Sequence, residues 1–361
     1  MAQTAKVKII VHSAPLPENE KVFITGNILQ LGNWSPDKIS LRRVNATTWK
    51  FETTVPLLSH LEFKITRGSW NTEAIYQHGK IPQNIILKVE HDTTIFLNPI
   101  MWADSVKQPE QKNEITGIIK FHRQLSDSGL RYAHDIIVRL PASYEKFPQK
   151  HYPVLYMHDG QNLFDPNTSF AGFDWRIDEV IDSLVTAKEM EEIIVVGIYN
   201  SPDRIPEYSD SELGRAYAGF IVHTVKPLID STYRTKPERK NTAIMGSSMG
   251  GLISFLAAQW YPDLFSKAGA MSPSFWFDNE KTIREFRDKN LSNNNLQLYL
   301  DCGGKEKELL PGFKEMISLL EKKGFKKGTD LEYFLDENAV HNEQSWSHRV
   351  WRPLLFFFGK K

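Results

Sequence analysis

The chain has 361 residues, of which 41% are hydrophobic and 24% charged, and its 44 Lys and Arg balance its 44 Asp and Glu. Such a length is sufficient for two hydrophobic cores, and the composition is ordinary for a globular protein. The zero net charge excludes a bulk electrostatic attraction to nucleic acid or to an anionic membrane. No apolar run approaches the roughly 20 residues of a membrane helix, and a single cysteine, Cys302, excludes an internal disulfide.

The first residues, Met-Ala-Gln-Thr-Ala-Lys, contain neither a basic n-region nor an apolar h-region. We therefore expect either a cytosolic protein or one whose export signal was trimmed. An Ala-Gln junction after the first methionine favours the secreted or periplasmic alternative. The sequence gives no indication of the oligomeric state.

Residues 1–104 are predicted to form an all-β, immunoglobulin-like sandwich. The runs KVFITGN, TWKFETTV, LEFKIT, NIILKV and TTIFL are short and β-rich, and turn-rich stretches such as NWSPDK separate them. Short strands at this spacing without a helical period are typical of an antiparallel sandwich. The polar stretch SVKQPEQKN, residues 105–113, is the predicted linker.

Residues 114–361 alternate between strand-like and helix-like segments. The runs DIIVRLP, YPVLYMHD, EIIVVGIYN, NTAIMGS and LQLYLD are apolar throughout, as strands buried on both faces are. Between such runs, apolar residues recur with the helical period of 3.6. This alternation predicts an α/β domain with a mostly parallel, doubly wound sheet. The stripe residues are Ile177, Val180, Ile181 and Leu184, then Leu252, Ile253, Leu256 and Trp260, then Phe313, Met316, Ile317 and Leu320.

The segment Gly246-Ser247-Ser248-Met249-Gly250 fits the pattern G-x-S-x-G of the α/β-hydrolase nucleophile elbow. An apolar strand-like run precedes it and an amphipathic helical stripe follows it, which is the required strand–turn–helix context. Ser248 is therefore the predicted nucleophile, and the amide of Met249 is predicted to face the developing oxyanion. The alternative is a glycine-rich turn that packs a helix against a strand.

A serine nucleophile needs a base and a carboxylate that orients this base, in the chain order serine, acid, histidine. Two histidines follow the elbow, His341 and His348. His341 follows the strand-like run LEYFL in a loop-like stretch and is the predicted base, whereas His348 lies in a helix-like segment. For the acid, the loop after LQLYLD offers Asp301, Glu306 and Glu308, and two glycines before Glu306 favour it over Asp301, which ends the strand.

A second oxyanion donor is predicted from the loop HDGQN, residues 158–162, with the Gln161 amide as our choice. Its glycine allows a close approach of the backbone. An alternative interpretation makes His158 and Asp159 metal ligands. They lack partners at ligand spacing, so we predict no metal site.

The C-terminal part resembles the esterase family that includes feruloyl and acetyl-xylan esterases, enterochelin-esterase-like hydrolases and S-formylglutathione hydrolases. The similarity is carried by YPVLYMHDGQNLFD, VKPLIDSTYRT, IMGSSMGGL, YPDLFSKAGAMSPSFW, LDCGGKE and HNEQSW. Ser248 matches the family's nucleophile, Glu306 its acid and His341 its histidine. The resemblance implies carboxylic-ester hydrolysis through an acyl-enzyme, without a metal or an organic cofactor.

The N-terminal part resembles the starch-binding modules found with amylases and glucoamylases. The segments that carry this likeness are VFITGNILQLGNW, TWKFETTVP and LEFKITRGSW. The resemblance implies that Trp34, Lys64 and Trp70 form a sugar platform, in which rings stack on the sugar and the lysine binds its hydroxyls. The alternative is that both tryptophans pack against protein.

Three functions are therefore compared. The first is a carbohydrate-directed esterase that removes feruloyl or acetyl groups, with an accessory glycan-binding module. The second is an esterase for a siderophore or another small ester, with a structural N-terminal domain. The third is an inactive glycan-binding protein with an esterase fold. Trp276 and Trp346 either line an aromatic acyl pocket or belong to the core. No nucleic-acid or membrane partner is expected.

Overall fold

The computed structural model describes residues 3–77, 84–105, 115–170, 172–288 and 296–360. The chain divides into two compact units, Met1–Glu110 and Gln111–Lys361, here called the N-terminal unit and the C-terminal unit. Most of the predicted linker, residues 105–113, lies outside the described residues, so its place remains a prediction.

The N-terminal unit is mostly β-structure. Its strands are β1 Thr4–His12, β2 Phe23–Gly26, β3 Ile39–Ser40, β4 Arg42–Asn45, β5 Thr48–Pro56, β6 His60–Thr66, β7 Ala74–Ile75, β8 Ile85–Lys88, β9 Thr93–Leu97 and β10 Met101–Trp102. They form one four-stranded sheet in the order β4-β5-β1-β9, another in the order β3-β2-β6-β8, and the pair β10-β7. Single 3-10 turns cover Leu29–Leu31, Trp70–Thr72 and Ala103–Ser105.

Both four-stranded sheets contribute to one core. Val7, Ile9 and Val11 alternate along β1 and are fully buried, and they share a cluster with Ile24 of β2 and Phe63 of β6. The alternation that predicted this strand therefore marks its core face. The expectation of a purely antiparallel arrangement is wrong at one place, because β1 pairs with β9 in parallel.

The C-terminal unit contains one eight-stranded sheet. Its strands are β11 Ile118–Leu125, β12 His134–Leu140, β13 Val154–His158, β14 Ile194–Ile198, β15 Thr242–Ser247, β16 Lys267–Met271, β17 Gln297–Gly303 and β18 Leu331–Asp336. Their order in the sheet is β11-β12-β14-β13-β15-β16-β17-β18. Strand β12 pairs antiparallel with both neighbours, and every other pair is parallel. The carboxyl ends of β15 to β18 therefore meet at one edge of the sheet.

Helices cover both faces of this sheet. The α-helices among the described residues are α1 Ile177–Thr186, α2 Arg204–Glu207, α3 Glu212–Phe220, α4 Lys226–Thr232, α5 Met249–Trp260, α6 Phe277–Asp288, α7 Leu310–Lys322, α8 Glu343–Ser347 and α9 Trp351–Phe358. Neighbouring residues of β14, Val195 and Val196, are fully buried in two different clusters. One cluster includes residues of α3 to α7 and the other includes residues of α1 and α9, so the sheet has a core on each face. In the part of the chain that the structure describes, no helix is long and apolar enough to cross a membrane.

Candidate active site

Ser248 occupies a sharp turn between β15 and α5. Its backbone has φ 57° and ψ −123°, a conformation that non-glycine residues rarely adopt. The Ser248 amide donates a hydrogen bond of 2.9 Å to the Met271 carbonyl, which holds the turn against β16. A Cβ atom on Gly246 would stand 2.8 Å from the backbone of Gly250, so this position excludes any side chain. The tightness of the turn therefore requires glycine at position 246.

His341 reaches Ser248 from the loop after β18. Its Nε2 lies 2.9 Å from Ser248 Oγ. The imidazole packs edge-on against the Trp346 ring, with 5.0 Å between ring centroids. Next to it, the side chain of Asn342 accepts a hydrogen bond of 2.9 Å from the Ser345 amide and caps α8. The histidine loop is thus anchored at the helix that follows it.

Glu306 lies on the far side of the imidazole from Ser248. Its Oε1 is 3.4 Å from His341 Nδ1, and its Oε2 accepts hydrogen bonds from the Gly303 amide (2.9 Å) and the Cys302 thiol (3.2 Å). Burial by itself raises the pKa of Glu306, but His341 and these donors lower it to about 2. Glu306 is therefore a buried, ionised carboxylate that faces the second imidazole nitrogen.

Asp301, the alternative acid, has a different partner. Its Oδ2 lies 3.0 Å from Nε of Arg349 and accepts a hydrogen bond of 3.2 Å from the Tyr299 hydroxyl. Both charged side chains of this pair are almost completely buried. Burial raises the pKa of Asp301, and the Arg349 guanidinium opposes this effect. The structure therefore brings Glu306 to the histidine and Asp301 to an arginine.

The two predicted oxyanion donors lie at helical starts. Met249 is the first residue of α5, where backbone N–H groups have no acceptor within the helix. Gln161 lies in the 3-10 turn Gly160–Asn162 that follows β13. Its carbonyl accepts a hydrogen bond of 2.7 Å from the Thr168 hydroxyl, and its Oε1 accepts one of 3.3 Å from the Asn200 amide. These contacts fix the backbone of the loop that carries the predicted donor.

His158 and Asp159 have protein partners. Asp159 forms two hydrogen bonds of 2.7 Å with Arg204, so both carboxylate oxygens are engaged. Burial raises the pKa of Asp159, but Arg204 more than offsets this and holds it below its usual range. His158 Nδ1 lies 2.8 Å from the Tyr217 hydroxyl, and complete burial lowers the pKa of His158 to about 3. This histidine is therefore neutral at ordinary pH.

Among the described residues of the C-terminal unit, three acidic side chains lie close enough together to hold a cation, namely Asp174, Asp178 and Glu179. Each contributes an oxygen, and these atoms lie within 4.8 Å of one another. Burial and the neighbouring Glu179 raise the pKa of Asp178 to about 7.

The three predicted sugar-binding residues differ in accessibility. Trp34 is buried, with 8% of its surface exposed, whereas Trp70 is half-buried. The Lys64 ammonium forms an ion pair of 2.5 Å with the buried carboxylate of Glu73. A sugar could stack on Trp34 only after neighbouring groups move. The sugar platform remains a prediction.

Four side chains clarify what the sequence patterns left open. Trp346 is buried beneath His341 and is not at the rim, whereas Trp276 is half-buried. His348 is exposed just after α8. Ser272 was not recognised from the sequence, although its hydroxyl contacts Glu306. The strand that precedes Ser272, β16, has the sequence KAGAM, which lacks the branched and aromatic residues that signal a strand.

Fold and site together define the class of protein. The strand order, the reversed β12 and a serine turn that joins the fifth strand of the sheet to a helix are those of an α/β-hydrolase-like esterase. The family model described as "Putative esterase" matches residues 130–357, and the chain belongs to this family. The model described as "Starch binding domain" matches residues 4–95.

Individual proteins agree with this assignment. The endo-1,4-beta-xylanase/feruloyl esterase of Xylanibacter ruminicola is 24% identical over 216 residues, which cover 58% of this chain and 27% of that protein. A solved ferulic acid esterase matches with a TM-score of 0.54 at 21% identity, covering 67% of this chain and 98% of its own. The enterobactin esterase of Shigella flexneri matches with a TM-score of 0.55 at 13% identity, covering 98% and 93%. The chain is an esterase, and the two structures share its fold.

Proposed function

We propose that this esterase hydrolyses carboxylic esters through an acyl-enzyme formed on Ser248, with His341 as the base and Glu306 as the orienting acid. The observation that carries the proposal is the approach of His341 Nε2 to Ser248 Oγ, 2.9 Å, with an ionised Glu306 beyond the other imidazole nitrogen. A serine hydroxyl needs this arrangement of a base and an orienting carboxylate to act as a nucleophile near neutral pH.

In the first half-reaction, Ser248 Oγ attacks the ester carbonyl carbon while its proton passes to His341 Nε2. The backbone amides of Met249 and Gln161 donate hydrogen bonds to the carbonyl oxygen and stabilise its negative charge. The bond to the alcohol then breaks, and the alkoxide leaves with the proton that the imidazolium returns. Glu306 stabilises the imidazolium without taking its proton.

In the second half-reaction, water takes the place of the alcohol. His341 accepts a proton from this water, whose oxygen attacks the acyl carbon of the Ser248 ester. The tetrahedral intermediate collapses, the acid leaves, and the proton on His341 restores the serine hydroxyl. Each proton is returned, so the cycle requires no cofactor.

As the substrate we propose an ester on carbohydrate, namely a feruloyl or acetyl group. Two observations support this choice: a xylanase/feruloyl esterase is a sequence relative of the C-terminal unit, and the starch-binding model matches residues 4–95. In this proposal the N-terminal unit is an immunoglobulin-like sandwich that holds the enzyme near insoluble glycan and so raises its effective concentration. In the same proposal, the C-terminal unit has a doubly wound sheet, and the residues that hydrolyse the ester lie at the ends of its strands.

The test of the nucleophile uses a fluorophosphonate and a p-nitrophenyl ester. We expect stoichiometric labelling of Ser248, located by peptide mass spectrometry, and a burst of p-nitrophenol. Ser248→Ala abolishes both, whereas the buried neighbour Ser247 serves as the matched control, and Ser247→Ala keeps both. Labelling that persists in Ser248→Ala would refute the assignment.

A second candidate is an esterase for a siderophore or another small ester. It is favoured by the enterobactin esterase structure, whose likeness extends over 98% of this chain, including both units. Values of kcat/KM for methyl ferulate, acetylated xylan and a catecholate trilactone, measured side by side, separate the candidates. A preference for the trilactone by more than tenfold would overturn the carbohydrate proposal.

A further inference from the structure

A buried serine outside the G-x-S-x-G motif occupies the strand end between the nucleophile and the acid. Ser272 follows β16 directly, and β16 lies between β15, which leads to Ser248, and β17, which leads to Glu306. It is fully buried and its backbone has φ 42°, in the left-handed region. Its amide donates a hydrogen bond of 3.1 Å to Asp301 Oδ1. The backbone of Ser272 is thus held in an uncommon conformation at the centre of the site.

The Ser272 hydroxyl has three hydrogen-bond partners. Its oxygen lies 2.9 Å from Glu306 Oε1, 3.0 Å from Trp346 Nε1 and 2.6 Å from Nη2 of Arg349. The indole and guanidinium nitrogens can only donate, so they occupy the two lone pairs of the hydroxyl. The single proton of Ser272 therefore points at the Glu306 carboxylate.

The Glu306 oxygen that accepts this hydrogen bond, Oε1, also faces His341. Oε1 lies 3.4 Å from His341 Nδ1 and 3.9 Å from Nη2 of Arg349. The other oxygen, Oε2, is held by the Gly303 amide. The Ser272 hydroxyl is therefore a hydrogen-bond donor that holds Oε1 in the direction of His341.

We propose that Ser272 is a positioning residue, which Trp346 and Arg349 orient so that its hydroxyl fixes the Glu306 oxygen opposite His341. This inference rests on the proposed triad. In this arrangement the buried Arg349 acts on Glu306 in two ways. It orients the Ser272 hydroxyl, and its positive charge lies near the Glu306 carboxylate. Trp346 then serves twice, because its ring supports the imidazole and its N–H orients the serine.

Ser272→Ala is the direct test, with Ser254→Ala as its matched control. Ser254 is equally buried and its hydroxyl donates to the Gly250 carbonyl at 2.7 Å, without touching the triad. We expect kcat on a p-nitrophenyl ester to fall about tenfold in Ser272→Ala with KM unchanged, because a hydrogen bond to a charged group is lost. The acid limb of the pH profile should move to lower pH, because Oε1 is no longer held opposite His341 and the carboxylate stabilises the imidazolium less. Ser254→Ala should show neither change.

Fluorophosphonate labelling separates the two proposals. If the wild-type chain is not labelled at Ser248, the proposed function fails. If the wild type is labelled, but Ser272→Ala is labelled at the same rate and with the same pH profile, only the role of Ser272 is refuted. Should Ser272→Ala not fold, Ser272→Gly tolerates the left-handed backbone and also lacks the hydroxyl, and the same outcomes apply to it.

Discussion

The C-terminal unit and the N-terminal unit present their predicted functional residues in different ways. In the C-terminal unit, the structure brings Ser248, His341 and Glu306 into direct contact at strand ends. In the N-terminal unit, Trp34 is buried and the Lys64 ammonium is paired with Glu73. The backbone turns at the strand ends fix the relative positions of the proposed catalytic residues. A sugar-binding platform instead requires aromatic ring faces that are exposed to solvent. The proposed triad residues thus contact one another, whereas two of the three predicted platform residues are engaged within the protein or buried.

The largest effect should come from breaking the relay itself. Ser248→Ala and His341→Ala should each reduce turnover of a p-nitrophenyl ester by on the order of 10^6-fold, and the double variant should be no worse. Non-additivity follows because neither residue can act without the other. Steady-state kinetics of the three variants checks this, and additive losses would show that the two residues act separately.

The two buried carboxylates give the next contrast. Glu306→Gln should lower kcat about 10^4-fold, because an amide cannot stabilise the imidazolium as a carboxylate does. Asp301→Asn should instead destabilise the fold by about 3 kcal/mol, since it leaves the Arg349 charge without its buried partner. Urea unfolding and kcat measured on both variants test this pair. The assignment of the acid is wrong if Asp301→Asn has the larger effect on kcat.

His158 gives the C-terminal unit a dependence of stability on pH. Its folded pKa of about 3 lies below the ordinary value of 6.5, so between these values only the unfolded state binds the proton. Its contribution is therefore complete above pH 6.5 and is lost as the pH falls, by about 2 kcal/mol at pH 5. The difference in unfolding free energy between pH 7 and pH 5 should shrink by this amount in His158→Gln. The exposed His348 provides the control, and an equal change in His348→Gln would contradict the assignment.

The smallest effect concerns the N-terminal unit. Trp70 is the more accessible of the two predicted platform rings, so Trp70→Ala should weaken retention of the full chain on starch several-fold. Turnover of a soluble ester should not change. Trp351→Ala removes an exposed ring of the C-terminal unit and should leave retention intact. Equal retention of all three proteins would rule out a Trp70 platform.

Sequence periodicity was sufficient for much of the C-terminal unit and for part of its site. The helical stripes that begin at Ile177 and Leu252 mark α1 and α5, and the elbow motif lies between β15 and α5. A tight turn restricts which residues fit at positions close together in the sequence, so the motif at Ser248 could be recognised from the sequence alone. Strand β16 was missed, because Lys267–Met271 consists mainly of small residues. Ser272 was missed with it, since its partners come from positions 34, 74 and 77 residues away.

The N-terminal unit shows the limit of the same approach. The alternation in β1 correctly indicated a core face, because burial of every second residue follows from strand geometry. The parallel pairing of β1 with β9 was not expected, since alternation along one strand carries no information on the direction of its neighbour. Nor does a Trp in a G-N-W turn reveal its exposure. The motif gives no sign that only 8% of the Trp34 surface is exposed.

The thiol beside Glu306 has a practical consequence for experiments on this enzyme. Cys302 is the only cysteine of the chain, and burial together with the neighbouring Glu306 raises the pKa of its thiol. Maleimides and other electrophiles react with thiolates, so this side chain should remain silent in the native protein. A cysteine introduced on the surface can therefore receive a fluorophore or spin label selectively, with the native sulfur left in place.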